Sequence, residues 1–359
     1  MAEAKSIETL SVSFTAGVIA GTMLSSPSPT LLFFLLFTLT LPCFFQRRIV
    51  QLPSAPTLIL MVGTFLLLGC FCAWNSALPG VESTGPIKSL ADNAAFRLRA
   101  LIGSLPFSSP DAAPLLQALL TGDRSSLNPQ IQGVFRASGA SHLLALSGLH
   151  MGIIYLLFDR ATRLLGHSPA VRKLRYFLLL SAAGFFTLMA GAGPSLVRAF
   201  LFIAVSETLR LLNRPRNPLR VLCLALMVQL TLDPSAIGTL GFQLSYLAMA
   251  GLILLYPLLE NWYPTDSKWD PLRKIWTLAT LGISCQVFTA PLVWLRFHTF
   301  PRFFLLTNLL AMPITTVLLA IAVGTVMLSA LGCCPAFLYT ATDGLCRLLL
   351  WILEIIAAM

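Results

Sequence analysis

The sequence predicts an all-α polytopic integral membrane protein with about eleven transmembrane helices, some of them broken or re-entrant. Three observations carry that expectation. Of the 359 residues, 57% are hydrophobic and only 11% are charged, whereas soluble domains carry about 25% charged residues. Several apolar runs reach the roughly 18 to 20 residues that a membrane helix needs. The basic residues are gathered between runs: Arg47 and Arg48; Arg160, Arg163, Arg172, Lys173 and Arg175 against Asp159; and Arg210, Arg214, Arg216 and Arg220. These three segments together carry a charge equal to the whole net charge of +10.

Residues 1–74 form an N-terminal three-helix membrane region, with spans expected at 10–24, 28–45 and 57–74. Glu3, Lys5 and Glu8 precede the first apolar run, so the opening reads as a membrane helix and not as a cleavable signal. Residues 75–141 form an outer (periplasmic) linker with turn-rich stretches at Pro79-Gly80, Gly85-Pro86 and Ser108-Ser109-Pro110 and short helical patterns near 111–121 and 128–137. The stretch 94–107 is amphipathic and has two readings. It lies in the membrane interface with Arg97 and Arg99 facing headgroups, or it is a packed lid helix. Residues 142–359 hold spans expected at 142–158, 176–191, 195–212, 219–232, 237–257, 275–295, 303–330 and 336–357.

With this alternation the three basic segments fall on one side of the membrane. The positive-inside rule makes that side cytoplasmic, places the N-terminus inside and places 75–141 outside. The basic excess is thus a topology signal and weak evidence for nucleic acid. The eight cysteines lie in or beside spans. Their only close pairs, Cys70 with Cys72 and Cys333 with Cys334, lack metal-ligand spacing, so they read as small apolar residues. No fixed-period repeat is present.

Polar signals gather near the outer ends of spans 4, 6, 8 and 10. Span 4 opens on Ser141-His142, with Ser141 as an expected N-cap, and continues to Ser147, Gly148 and His150. On a regular helix His142 and His150 lie about 12 Å apart. They cannot share one ion, because metal–imidazole bonds are about 2 Å long. Ser147 and His150 are i, i+3 neighbours. Three readings fit them: a nucleophile pair without an orienting carboxylate nearby in sequence, close helix packing through Ser147 and Gly148, or the lining of a polar cavity. Span 6 opens on Gly191-Ala-Gly193-Pro194-Ser195-Leu-Val-Arg198. Proline at the first helical position makes a sharp start, and free amides beside Arg198 form a phosphate or carboxylate site. The alternative is an Arg198 that snorkels to headgroups. Span 8 follows the turn residue Asp233 and contains Gln243, either a helix–helix hydrogen-bond former or pore lining. Pro291, Asn308 and Pro313 mark spans 9 and 10, and the prolines suggest a kink or break. Asp343 and Arg347 have the spacing of an intrahelical ion pair.

The run Phe135-Arg136-Ala-Ser138-Gly139-Ala-Ser141-His142-Leu-Leu-Ala-Leu-Ser147-Gly148-Leu-His150-Met-Gly152 resembles the signature of the ComEC competence family. Three further blocks match in order: Gly191 to Phe200, Asp233-Pro234 through Tyr246, and Gln286 to Pro291 followed by Phe300 to Asn308 and Pro313. The resemblance covers about residues 95–330, the family's channel domain. Members commonly carry an outer oligonucleotide-binding β-barrel, for which residues 75–96 are too few. Many also carry a metallo-β-lactamase-like nuclease domain, whose His-x-His-x-Asp-His pattern is absent from histidines at 142, 150, 167 and 298. The resemblance is therefore to the channel domain alone.

The resemblance implies a bacterial inner-membrane channel for uptake of single-stranded DNA during natural transformation. Ser141, His142, Ser147, His150, Arg198, Gln243 and Asn308 would line the path. Gly193, Ser195 and Arg198 would meet phosphates at the helix start, and Phe200 and Phe242 offer either stacking platforms or packing. No cofactor, catalytic residue or metal site is expected, and no Gly-x-x-x-x-Gly-Lys loop for ATP is present. The implied partners, besides the lipid bilayer, are an outer DNA receptor, a separate strand-degrading nuclease and a cytosolic ATP-driven DNA translocase. Two other classes stay open: an intramembrane serine hydrolase using Ser147, and a small-anion transporter.

Overall fold

The computed structural model describes residues 2–23, 55–75, 86–164, 166, 168–263, 271–298 and 303–359. The expected span 28–45, His167 and the stretch Phe300 to Arg302 lie outside them. Among the described residues there is no strand. The helices are α1 (Ala2–Met23), α2 (Ala55–Asn75), α3 (Pro86–Ser104), α4 (Ala112–Thr121), α5 (Pro129–Ala137), α6 (Ser141–Leu144), α7 (Gly148–Arg163), α8 (Pro169–Met189), α9 (Pro194–Leu211) and α10 (Pro218–Leu232). A 3-10 turn at Pro234–Gly238 leads to α11 (Leu240–Leu254), α12 (Tyr256–Glu260), α13 (Pro271–Phe297), α14 (Phe304–Ala330) and α15 (Ala336–Ala357).

Helix starts follow local chemistry. Asn128, Ser168 and Asn217 each precede a proline, and each side-chain oxygen accepts an amide of the first turn: Gln130, Val171 and Leu219 respectively. A proline at the first helical position gives up an amide that has no helical partner there. Leu240–Glu260, Leu272–Phe297 and Leu305–Ala330 are long and apolar enough to cross a membrane. The chain is an all-α membrane protein. Of the kink or break expected at Pro291 and Pro313, the break is excluded: helices α13 and α14 continue through both prolines, which membrane helices tolerate where neighbouring groups satisfy the freed backbone. The expected span 142–158 is divided at 145–147.

The chain forms two compact units, residues 1–82 with 201–246 and residues 83–200 with 247–359. In the first, α1 and α2 touch backbone to backbone. A Cβ on Gly17 would run into the carbonyl oxygen of Leu66, and one on Gly69 into that of Phe14. Small residues allow such approach between membrane helices. The Cys70 thiol donates to Gly17 O at 3.1 Å and the Ser13 hydroxyl to Val62 O at 2.5 Å. Phe14 and Val18 then pack with Leu230, Ala236 and Phe242.

In the second unit α3, α4 and α5 supply core. Ile102, Leu115, Leu119 and Phe135 pack with Leu318 of α14 and Leu349 of α15. Helix α3 buries Ala91, Ala95 and Ile102, which selects the packed reading of 94–107. Arg99 does not face headgroups; it pairs with Asp123 at 2.5 Å, beyond the end of α4. Asp343 of α15 is buried. It pairs with Arg347 at 2.5 Å and also accepts the amide of Ser109 at 3.0 Å, fastening the α3–α4 turn to α15. Buried Asp159 joins α7 to α8 by ion pairs with Arg163 at 2.7 Å and with Arg175.

The hydroxyl and amide of Ser125, followed by the Arg99 guanidinium, hold the Asp123 carboxyl down at about 2. The folded value lies below the unfolded value near 3.9, so this stabilisation is full at neutral pH and is lost as pH falls toward 2. With a quarter of the Asp123 side chain exposed, about 1–2 kcal/mol remains after solvent screening. Asp123→Asn should therefore lower thermal stability in detergent at pH 7, and the gap to the wild type should close between about pH 4 and pH 2.

Candidate functional site

The segment 135–150 is built around an interruption. Phe135 and Ser138 are fully buried. Gly139 takes φ 76, a left-handed conformation that glycine adopts without a Cβ penalty, and turns the chain into α6. The hydroxyl of Thr307, itself buried near the start of α14, donates to Ser138 O at 2.5 Å. One turn later the His142 ring accompanies this contact. Its Nδ1 lies 3.2 Å from Gly139 O, and its side chain hydrogen-bonds that of Asn308. Ser141 is not the N-cap, which is Ala140; its hydroxyl reaches back to Phe135 O at 3.5 Å.

Helix α6 ends at Ala145, whose backbone is extended (φ −79, ψ 128). Ser147 is also extended (φ −119, ψ 175) and caps α7. Its Oγ accepts the amide of Leu149 at 3.3 Å. Reciprocally, the Ser147 amide donates to His150 Nδ1 at 3.2 Å, and Oγ stands 3.1 Å from the same nitrogen. This is a capping box with histidine at its third helical position. Ser147 and His150 therefore touch as their spacing predicts, but across a helix start and not along a helix. The 12 Å separation expected for His142 and His150 assumed a regular helix, which this segment is not. Gly148 at the first position packs with its missing side chain 3.8 Å from the Cβ of Ala199.

The α9 start lies next to Ala199 in sequence. Gly191 and Ala192 both take positive φ, 78 and 49, and Gly193 O receives the amides of Leu196 and Val197, so Pro194 opens the helix. Arg198 is 2% exposed and donates from Nη2 to Ser195 Oγ at 2.9 Å. It does not snorkel to the surface. Gln243 lies in the other unit, where its amide donates to Ile237 O at 2.8 Å in the preceding 3-10 turn. Phe242 is buried there against Tyr246, with ring centroids 4.5 Å apart, so it serves packing and not base stacking. Asp233 ends α10 and binds the Ser235 hydroxyl at 2.5 Å.

Structure thus brings His142 to Asn308, Ser147 to His150 and Ser195 to Arg198. Sequence reasoning missed Ser138 and Thr307, which hold the first pair in place. The signal for Thr307 was available: it stands beside Asn308 in an otherwise apolar run. Thr307→Val keeps the shape but leaves the buried Ser138 carbonyl unpaired. It should cost about 1–3 kcal/mol, read as a lowered unfolding midpoint of the purified protein in detergent.

A family model described as "Competence protein" matches residues 119–359. The ComE operon protein 3 of Bacillus subtilis is 29% identical over 208 residues, 58% of this chain and 25% of that protein. Competence protein ComA of Neisseria gonorrhoeae is 33% identical over 148 residues, 40% of this chain and 21% of its own length. The protein YcaI of Escherichia coli is 28% identical over 201 residues, 54% and 26% of the two chains. The matches thus span about a quarter of the length of these relatives. No solved structure matches the chain significantly. With well over half of its length matched by that model, the chain belongs to the competence protein family.

Proposed function

We propose that this protein is a channel of the bacterial inner membrane that passes single-stranded DNA to the cytoplasm during natural transformation. The observation that carries the reading is the polar segment 138–150, held by Thr307 and Asn308 within an apolar helical unit. Polar side chains at membrane depth are costly and mark substrate pathways. The family model and one of the similar proteins carry competence in their names, which supports DNA as the substrate. The N-terminus is cytoplasmic and residues 75–141 face outward in this reading, from the positive-inside rule. Residues 142–359 form the channel region.

His142, Asn308 and Ser141 line one part of the path, and Ser147 with His150 another. Arg198 lies under the α9 start, behind Gly193 and Ser195. It favours a phosphate there through its charge, added to the positive end of the helix, without reaching the surface itself. Each phosphate charge that crosses works against a negative-inside potential at about 2.3 kcal/mol per 100 mV. Directional uptake therefore needs a cytosolic ATP-driven translocase, and capture and strand removal need an outer DNA receptor and a separate nuclease.

In a strain where this is the sole channel copy, deletion should leave fluorescent DNA stalled outside the inner membrane. Arg198→Ala should cut cytoplasmic entry about tenfold with the protein still present in membranes. Normal transformation in that variant strikes out the role of Arg198. Normal DNA entry in the deletion strain strikes out the channel. Uptake of a labelled phosphate or carboxylate by proteoliposomes without DNA would instead favour a small-anion transporter.

The contact between Ser147 and His150 also favours examining a serine hydrolase. Such a dyad needs a group that orients the base through its second nitrogen, and His150 Nε2 has no hydrogen-bond partner among the described residues. Ser147→Asn separates the readings, because asparagine caps helices as well as serine but is no nucleophile. We expect DNA entry within about twofold of wild type; ester hydrolysis by the purified wild type that this variant abolishes supports the hydrolase.

A further inference from the structure

We infer that His150 presents a fixed, uncharged donor, Nε2–H, to one phosphodiester oxygen of the passing strand. This rests on the channel reading above and assigns the chemistry of one of its contacts. The Ser147 amide decides the state of the ring. A backbone N–H can only donate, so His150 Nδ1, 3.2 Å away, accepts. In a neutral imidazole with Nδ1 accepting, the ring proton sits on Nε2. The cap therefore fixes both the orientation of the ring and its tautomer.

The remaining nitrogen has nothing to do within the described protein. His150 is 4% exposed, and Nε2 is buried without a hydrogen-bond partner among the described residues. Buried donors are paired in the great majority of cases, by protein, water or ligand. Capping alone does not explain histidine here. Glutamate or glutamine at the third position closes the box fully. Histidine closes it with one nitrogen and keeps the other as a donor.

The surroundings favour an anionic acceptor. The ring stands on the first turn of α7, a helix of 16 residues, whose N-terminal dipole end attracts negative charge. Gly148 at the first position is exposed and has no side chain to cover its amide. Its missing Cβ would meet only the Ala199 Cβ, at 3.8 Å. A phosphodiester oxygen meets both the helix end and Nε2–H there. The contact is weak by design: a neutral donor holds a phosphate less tightly than a guanidinium, and conduction requires sites that release.

His150→Glu and His150→Gln test this directly. Both keep an acceptor for the Ser147 amide; glutamate holds no donor in place of Nε2–H, whereas the glutamine carboxamide keeps one on its nitrogen. With His150→Glu as the sole channel copy, we expect normal abundance in membranes, DNA still gathered outside, and cytoplasmic entry reduced about tenfold, with His150→Gln nearer to wild type. Wild-type entry with His150→Glu reduces His150 to a cap and overturns the inference, and an equal loss in both variants overturns the donor assignment. DNA entry in a parallel deletion strain overturns the channel reading instead. A second measurement uses the wild-type chain alone, so it decides the matter even where a variant fails to accumulate. The full chain, 15N-labelled at its four histidines, is purified in a phosphate-free detergent, and the Nε2–H signal protected from solvent exchange is followed. A single-stranded oligonucleotide should shift it, and an uncharged methylphosphonate oligonucleotide of the same sequence should not. Equal shifts with both assign the contact to a base and overturn the phosphate assignment. A shift with phosphatidylglycerol but not with DNA assigns it to a lipid headgroup and overturns the strand contact. No shift with any of them overturns the site.

Discussion

A helix interrupted inside a packed protein leaves amides that apolar neighbours cannot satisfy, so an interruption persists only where the protein supplies the missing partners. Between Leu144 and Gly148 this chain supplies them from within. Ser147 covers the first amides of α7, and His150 covers the amide of Ser147. The other elements of the site depend on this closed exchange. It lets α6 and α7 point differently and frees the 138–142 turn to lie against Thr307 and Asn308. It also sets one face of a histidine without using a charged group. Were the segment a continuous helix, Ser147 would be a mid-helix residue and His150 a side chain of undetermined tautomer.

The buried charges obey a different logic. Asp159 and Asp343 are both nearly sealed from solvent, and both are met by arginine. Asp343 also takes a backbone amide from a turn more than two hundred residues earlier in the chain. Breaking such a pair leaves an uncompensated buried charge, so these contacts fix which segments lie together. They read as structural ties. Among the described residues, neutral groups with spare hydrogen-bonding capacity include His150 Nε2 and the Asn308 carbonyl oxygen, which are free to meet something other than the protein.

The start of α9 at Pro194 was legible from sequence because its cause is local. Asn128-Pro129, Ser168-Pro169 and Asn217-Pro218 likewise combine a capping side chain with a proline and open helices, a signal the sequence reading passed over. The interruption at Ala145 was not legible. Leu143, Leu144, Ala145 and Leu146 are all acceptable helix residues, and the chain is nevertheless extended at Ala145 and Ser147. Pro291 and Pro313 produce no break, and α13 and α14 continue through them. Contacts such as Thr307 with Ser138, 169 residues apart, have no local signature. The pairing of Ser147 with His150 was visible as spacing, while its meaning depended on where the helix begins. The amphipathic face of α3 was visible too, but not the α4 and α8 surfaces that cover it.

The meeting of α1 and α2 has a consequence for genetics. Against Gly17 stands the carbonyl oxygen of Leu66, and against Gly69 that of Phe14. An intruding methyl group at either glycine meets main chain, and main chain is the same whatever residue occupies position 66 or 14. Replacing Leu66 or Phe14 by something smaller therefore yields no room. Second-site suppressors of a lesion at Gly17 are to be sought in changes that slide one helix past the other, and reversion to glycine is the simplest repair available to the organism.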